Sequence, residues 1–190
     1  MDAVAKEELD AFKDRSITHK EIRFIDELNS FKRKLGFRSN LTLSETEYES
    51  MISMGKETLI EDAFELIKYY HKKGIPMYIL SNSIFSSNAL KRYLDSYQIL
   101  DYFLDVYSSS DFGYRKPHKS FFEMIIKEIL KNNEEVKRKE IYFIGNDYNS
   151  DVKGSFEAGL VPIWYNINNQ KDVDEINCKI INSFAEMVLE

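Results

Sequence analysis

With one cysteine, Cys178, in 190 residues, the chain can form no internal disulfide and no cysteine-based metal cluster. Histidine is almost as scarce, and His19, His71 and His118 stand at no ligand spacing. No apolar run approaches the roughly 18 residues that a membrane span needs. The N-terminus has too many acids, and no apolar core, for a signal peptide. Basic residues are outnumbered, 26 Lys and Arg against 32 Asp and Glu, giving a formal charge of −6. Nucleic acid is therefore not expected as the main partner, because phosphate-backbone surfaces need concentrated Lys and Arg. The one basic stretch, Lys137, Arg138 and Lys139, reads as a solvated loop before a strand. Repeats and low-complexity tracts are absent too. The expectation is a soluble cytoplasmic protein without a membrane partner, long enough for one domain with a sizeable core, or for a core plus a small helical accessory domain.

What is present divides by period. Met1 to Phe37 is charged and helical in spacing, with Ile22, Phe24, Ile25, Leu28, Phe31 and Leu35 at three- and four-residue steps and Gly36 as a stop. Ser44 with Glu47, and Thr58 with Glu61, fit the Ser/Thr-x-x-Glu capping box and predict helices beginning near Glu45 and Leu59. The second is expected to end at Lys73, where Gly74 supplies the left-handed closing residue. From Gly74 the pattern changes. A near-continuous apolar run, Ile75 to Leu80, reads as a strand buried on both faces and stops at Ser81-Asn82-Ser83. A helix from about Ser87 to Tyr97, a strand Tyr102 to Tyr107 and a polar loop with Arg115-Lys116-Pro117 follow. Then come a helix Lys119 to Lys131, a strand Ile141 to Ile144, a small-residue helix Val152 to Ala158, a strand Leu160 to Tyr165 and a last helix from Ser183 to Leu189. Alternating strands and helices predict a three-layer, Rossmann-like α/β core with a parallel sheet covered on both faces over residues 57–190, preceded by a helical module without a strand over 1–56.

Chemistry gathers at the strand ends. Ser81 and Asn82 follow the first strand, Lys116 the second, and Asn146, Asp147 and Asp151 the third. In open α/β sheets, ligands bind at the carboxyl ends of strands. A hydroxyl with a backbone amide, an ammonium, and two carboxylates holding Mg²⁺ make a receptor for a phosphoryl group.

These residues resemble the motifs of the haloacid dehalogenase-like hydrolase superfamily, in the branch whose helical cap is inserted after the first strand. Leu80-Ser81-Asn82 is similar to the second motif, whose Ser or Thr binds the phosphoryl group. Gly113-Tyr114-Arg115-Lys116-Pro117-His118 is similar to the third, whose Lys neutralises nucleophile and phosphate, and Ile144 to Gly159 to the fourth, which supplies acidic magnesium ligands. The resemblance runs from Glu57 to the C-terminus, with Ser16 to Gly55 as the cap. It implies a Mg²⁺-dependent hydrolase of a small phosphorylated metabolite, acting through an aspartyl phosphate. Ser81 and Lys116 would be catalytic, Ser81, Asn82 and Lys116 substrate-binding, and Asp147 and Asp151 metal ligands. The fourth motif departs from the family pattern: Asn146, not an acid, follows the glycine. Either Asp147 pairs with Asp151, or Asn146 does so with a neutral carbonyl.

The first motif, a strand ending in Asp-x-Asp whose first acid attacks phosphorus, is not found. The only Asp-x-Asp, Asp172-Val-Asp174, follows Asn168-Asn169-Gln170-Lys171 rather than a buried strand, and Asp26 sits in a helical pattern. Strands pair about 4.8 Å apart, so a missing central strand would leave unpaired edges. Either the two flanking strands close up directly, or a segment of another polypeptide fills the slot, or the sequence is a fragment that starts inside the cap. The fragment is the expectation, and such a chain is expected to self-associate or to take the strand from an upstream polypeptide. The alternative is a non-catalytic fragment or subunit that binds phosphate, metal or a protein partner.

Overall fold

A computed structural model describes residues 13–15, 17–36, 40–55, 57–171 and 176–187. The expected helix before residue 13, the Asp172/Asp174 pair, the side chain of Phe31 and the end of the last helix lie outside the described residues. The chain forms two compact units: Met1–Glu57 with Tyr78–Arg115, and Thr58–Met77 with Lys116–Glu190.

The first unit begins with α1, Phe24–Leu35, which ends on Gly36 in the left-handed conformation (φ 67°). Its apolar stripe is only half-buried, and Leu35 is exposed. Helix α2, Leu43–Ser53, starts two residues before the predicted point. Its capping box is Thr42 with Glu45, not Ser44 with Glu47. Strand β1, Tyr78–Ser81, pairs in parallel with β2, Asp105–Ser108, placing Ser81 opposite Ser108. Between them α4, Ser87–Ser96, is capped by the Ser86 side chain, which accepts from Ala89 N–H. A single turn, α5, Ser109–Phe112, closes on Gly113 at φ 86°. Leu80, Phe85, Ala89, Ile99 and Val106 are the buried apolar residues here. An extended stretch ahead of α1 clips to the loop after α5: Glu21 N–H donates to Gly113 O and Arg115 N–H to His19 O, both at 2.8 Å.

The second unit holds α3, Glu61–Lys72, whose N-cap Ile60 offers no side-chain cap, so the predicted Thr58/Glu61 box does not form. Its other end is a Schellman closure: Gly74 N–H donates to His71 O (2.9 Å) and Ile75 N–H to Tyr70 O (3.0 Å). That closure uses the backbone of Ile75 and explains why β1 begins at Tyr78 instead of Ile75. Helix α6 runs over Lys119–Asn132, with Phe121, Phe122, Ile125, Ile126 and Ile129 buried. Strand β3, Tyr142–Gly145, leads into a π-helical turn, Tyr148–Lys153, and the short α7, Gly154–Glu157. Strand β4, Val161–Tyr165, pairs in parallel with both β3 and β5, Lys179–Ile181. The sequence pattern gave no sign of β5. The predicted terminal helix is a 3₁₀ turn, Phe184–Met187.

All strand pairs are parallel, as the alternating pattern requires, and the described residues form two sheets, β1-β2 and β3-β4-β5. No helix among them is long and apolar enough to cross a membrane.

Candidate active site

The carboxyl end of β3 is where the second unit concentrates charge. Lys116 Nζ lies 2.8 Å from Asp151 Oδ1, with side-chain exposures of 10 % and 8 %. The ammonium also sits over the Phe143 ring, 5.2 Å from its centroid. Asp151 Oδ2 accepts the Asp147 N–H at 3.0 Å, so the two acids four residues apart are joined through backbone and side chain.

Gly145 makes this possible. A Cβ at that position would overlap Cβ, Cγ and Oδ2 of Asp151, so only glycine lets the carboxylate pack against the strand end. The π-helical turn carries Asp151 on its wide coil, and turns of this kind recur at functional sites. Behind it, Tyr148, Val152 and Trp164 form a buried cluster, with the Tyr148 and Trp164 rings 4.9 Å apart. The Trp164 indole N–H donates to Asn146 O at 3.2 Å and fixes the residue after the glycine.

Asp147 is exposed, and its Oδ1 accepts the Ser150 N–H at 2.6 Å, capping the turn. Asn146 is exposed beside it. Hard oxygen donors of this kind suit Mg²⁺, which takes one or two carboxylates and completes its shell with water and phosphate oxygens. Two acids and an amide therefore fit such an ion. Among the described residues no group of three or more His, Cys, Asp and Glu is clustered as a metal site. His118, read as a loop residue, caps α6 instead: its Nδ1 accepts Ser120 N–H at 3.3 Å.

Ser81 and Asn82 end β1 in the first unit. The loop they begin is held by three consecutive serines. Ser83 N–H donates to Ser109 Oγ (2.9 Å), Ser108 Oγ donates to Phe85 O (2.6 Å), and Ser110 N–H donates to Ser83 O (3.1 Å). Nothing in the sequence pattern singled out Ser108 to Ser110. The polar loop they open was legible, but not their grip on a segment about 26 residues earlier.

The sequence profile of the haloacid dehalogenase-like hydrolases matches residues 4–159. The chain belongs to that family. It is 29 % identical over 169 residues to the HAD-hydrolase YfnB of Bacillus subtilis, covering 87 % of this chain and 67 % of YfnB. The crystal structure of YfnB bound to magnesium overlays with a TM-score of 0.58 at 20 % identity, covering 84 % of this chain and 87 % of that one. The glyceraldehyde 3-phosphate phosphatase of Methanocaldococcus jannaschii is 32 % identical over 89 residues, 46 % of this chain and 37 % of the phosphatase. A dehalogenase solved with an intermediate complex shares the fold at a TM-score of 0.64 and 20 % identity, covering 96 % of this chain and 79 % of that one.

Proposed function

We propose that this hydrolase-family chain supplies the phosphate- and metal-binding parts of a phosphate monoester hydrolase. The observation that carries the reading is the buried Lys116–Asp151 pair at the end of β3. A buried ion pair adds little stability over apolar residues of the same size, so its presence at a strand end favours a chemical role. In this reading the Ser81 hydroxyl and the Asn82 backbone amide donate to phosphate oxygens, and Lys116 neutralises their charge. Asp151 orients the Lys116 ammonium through Oδ1. With Asp147, or with the Asn146 amide oxygen in its place, it would hold Mg²⁺. The ion, when bound, stabilises negative charge on the phosphoryl oxygens.

The attacking carboxylate is the part these 190 residues do not supply in a suitable context, and we assign it to a strand ending in Asp-x-Asp from outside this sequence. One carboxylate oxygen forms a bond to phosphorus while the ester oxygen departs with a proton from the second acid, and water then hydrolyses the acyl phosphate. The two sheets of the described residues, β1-β2 and β3-β4-β5, have strand edges suited to such an addition.

A second reading is favoured by Asn146, which replaces a charge beside the glycine, and by the lack of a three-acid cluster among the described residues. In it the chain is a non-catalytic binding subunit. Hydrolysis of p-nitrophenyl phosphate with Mg²⁺ separates the two. The expected result is no turnover by the chain alone, turnover on adding a peptide with an apolar strand and Asp-x-Asp, and its loss in Lys116→Ala. Silence with and without the peptide counts against the split enzyme and favours the non-catalytic subunit. Turnover by the chain alone refutes the external nucleophile.

A further inference from the structure

Two buried carboxylates in the first unit take no part in the chemistry above. The Glu21 side chain is fully buried (0 % exposed) and ion-paired with Arg15, Nε to Oε1 3.2 Å. Its Oε1 also accepts the Ile22 N–H at 3.0 Å, and its Oε2 accepts a hydrogen bond from Ser109 Oγ. Ser109 Oγ in turn accepts the Ser83 N–H. Glu47, 5 % exposed on α2, accepts from both Ser86 N–H (3.0 Å) and Ser86 Oγ (2.5 Å). Between these anchors, Phe24 N–H donates to Ile84 O at 2.9 Å, and the Phe24 and Phe85 rings lie 4.9 Å apart. Ser83, Ile84, Phe85 and Ser86, four consecutive residues, are thus each held from the segment 15–47, directly or through Ser109.

That loop leaves β1 immediately after Ser81 and Asn82. Burying a carboxylate is costly unless donors surround it, and apolar packing would hold two elements together at least as well. What a buried carboxylate adds is direction, since each oxygen fixes the N–H or O–H aimed at it. We propose that Glu21 and Glu47 are positioning residues for the phosphate loop. They fix the path of residues 83–86 and so the direction of the Ser81 hydroxyl and the Asn82 amide. The N-terminal helical segment is then a working part of the anion-binding loop and not only a cover over it. This rests on the phosphate-binding role given to Ser81 and Asn82.

The test titrates inorganic phosphate with Mg²⁺ into the full ¹⁵N-labelled chain and follows the amide signals of Asn82 and Ser83. The wild type should shift saturably. Glu21→Ala and Glu47→Ala should weaken the apparent Kd at least tenfold, and Glu21→Gln and Glu47→Gln, which keep an acceptor oxygen, should recover it to within about threefold. Leu66→Ala, a buried site in the second unit, should lower Tm without changing Kd. If the alanine variants do not fold, Ser109→Ala serves in their place. It cuts the relay to Ser83 and leaves the Glu21–Arg15 pair intact, and tenfold weakening is again expected. A wild type that binds phosphate, with folded variants that bind it equally well, overturns this proposal alone. A wild type with no phosphate shift overturns the phosphate reading and the proposal with it.

Discussion

Replacing Asp151 with Asn tests whether the strand-end ion pair is electrostatically committed. The substitution keeps shape and volume, so no cavity term enters, and the Asp147 N–H still finds an acceptor. It leaves the Lys116 ammonium, 10 % exposed, without its anion. Removing one partner of a buried pair costs about 3–5 kcal/mol, a large share of the roughly 5–15 kcal/mol that holds a domain folded. With a urea dependence of about 2 kcal/mol per molar, the unfolding midpoint should fall by roughly 2 M. Trp164, the only tryptophan, donates its indole N–H to Asn146 O at this strand end, so its fluorescence reports the unfolding of this region. Converting both partners together, Lys116→Met with Asp151→Leu, removes both charges and should recover most of the loss. A midpoint shift below about 0.5 M in Asp151→Asn would refute the reasoning. So would a double variant as unstable as the sum of its singles, since coupled partners must be non-additive.

Two further outcomes follow from titratable groups in the second unit. Asp62 receives hydrogen bonds from Ser183 Oγ (2.6 Å) and Phe184 N–H (2.8 Å), and these, the Ser183 bond foremost, hold its carboxyl below the ordinary value. A lowered folded value means the attachment of the C-terminal turn is at full strength above the ordinary carboxylate pKa, near 3.9, and is lost as pH falls through the lowered one. Hydrogen exchange at the Phe184 amide, corrected for its intrinsic pH dependence, should show protection at pH 6 that fades below about pH 4. Asp62→Asn should remove that pH dependence, and unchanged protection in acid would contradict it. Burial pushes the Cys178 thiol above its ordinary pKa. Its reaction with a disulfide reagent at pH 8 should therefore be at least tenfold slower in the folded chain than in urea, and equal rates would contradict the burial.

Where local chemistry decides the structure, the sequence was easily read. Gly36 and Gly74 both close helices in the left-handed conformation, at φ 67° and 71°, because only residues without a Cβ adopt it freely. The apolar runs ending at Ser81 and Gly145 are strands, and the polar clusters sit at their carboxyl ends. Boundaries shifted where a neighbouring element claimed the same backbone. Ile75 was taken by the Schellman closure of α3, and Leu100–Tyr102 became a 3₁₀ turn that delays β2 to Asp105. Strand β5 was invisible because its three residues, Lys179–Ile181, take their regularity from pairing with β4 rather than from any alternation of their own.

The N-terminus of α2 shows why the site was only partly readable. Thr42-Leu-Ser-Glu-Thr-Glu47 contains two overlapping Ser/Thr-x-x-Glu frames, Thr42 with Glu45 and Ser44 with Glu47, and intrinsic propensity ranks them alike. The chain uses the first. Glu45 accepts the Thr42 N–H at 2.8 Å, and this frees Glu47 to turn inward, where Ser86 offers two donors 39 residues away. A carboxylate exposed in a capping box gains little from hydrogen bonds that water could replace, whereas one already buried forfeits about 1–3 kcal/mol or more for each donor it lacks. The choice of frame is therefore made by the tertiary partner, and local sequence carries no record of it. The same holds for Glu21, whose partners Arg15, Ile22 and Ser109 include one 88 residues distant. Motif residues announce themselves because chemistry fixes their type and spacing. The residues that aim them need only an acceptor at the right place, which an acid facing inward from a helix, as Glu47, or from an extended stretch, as Glu21, can provide.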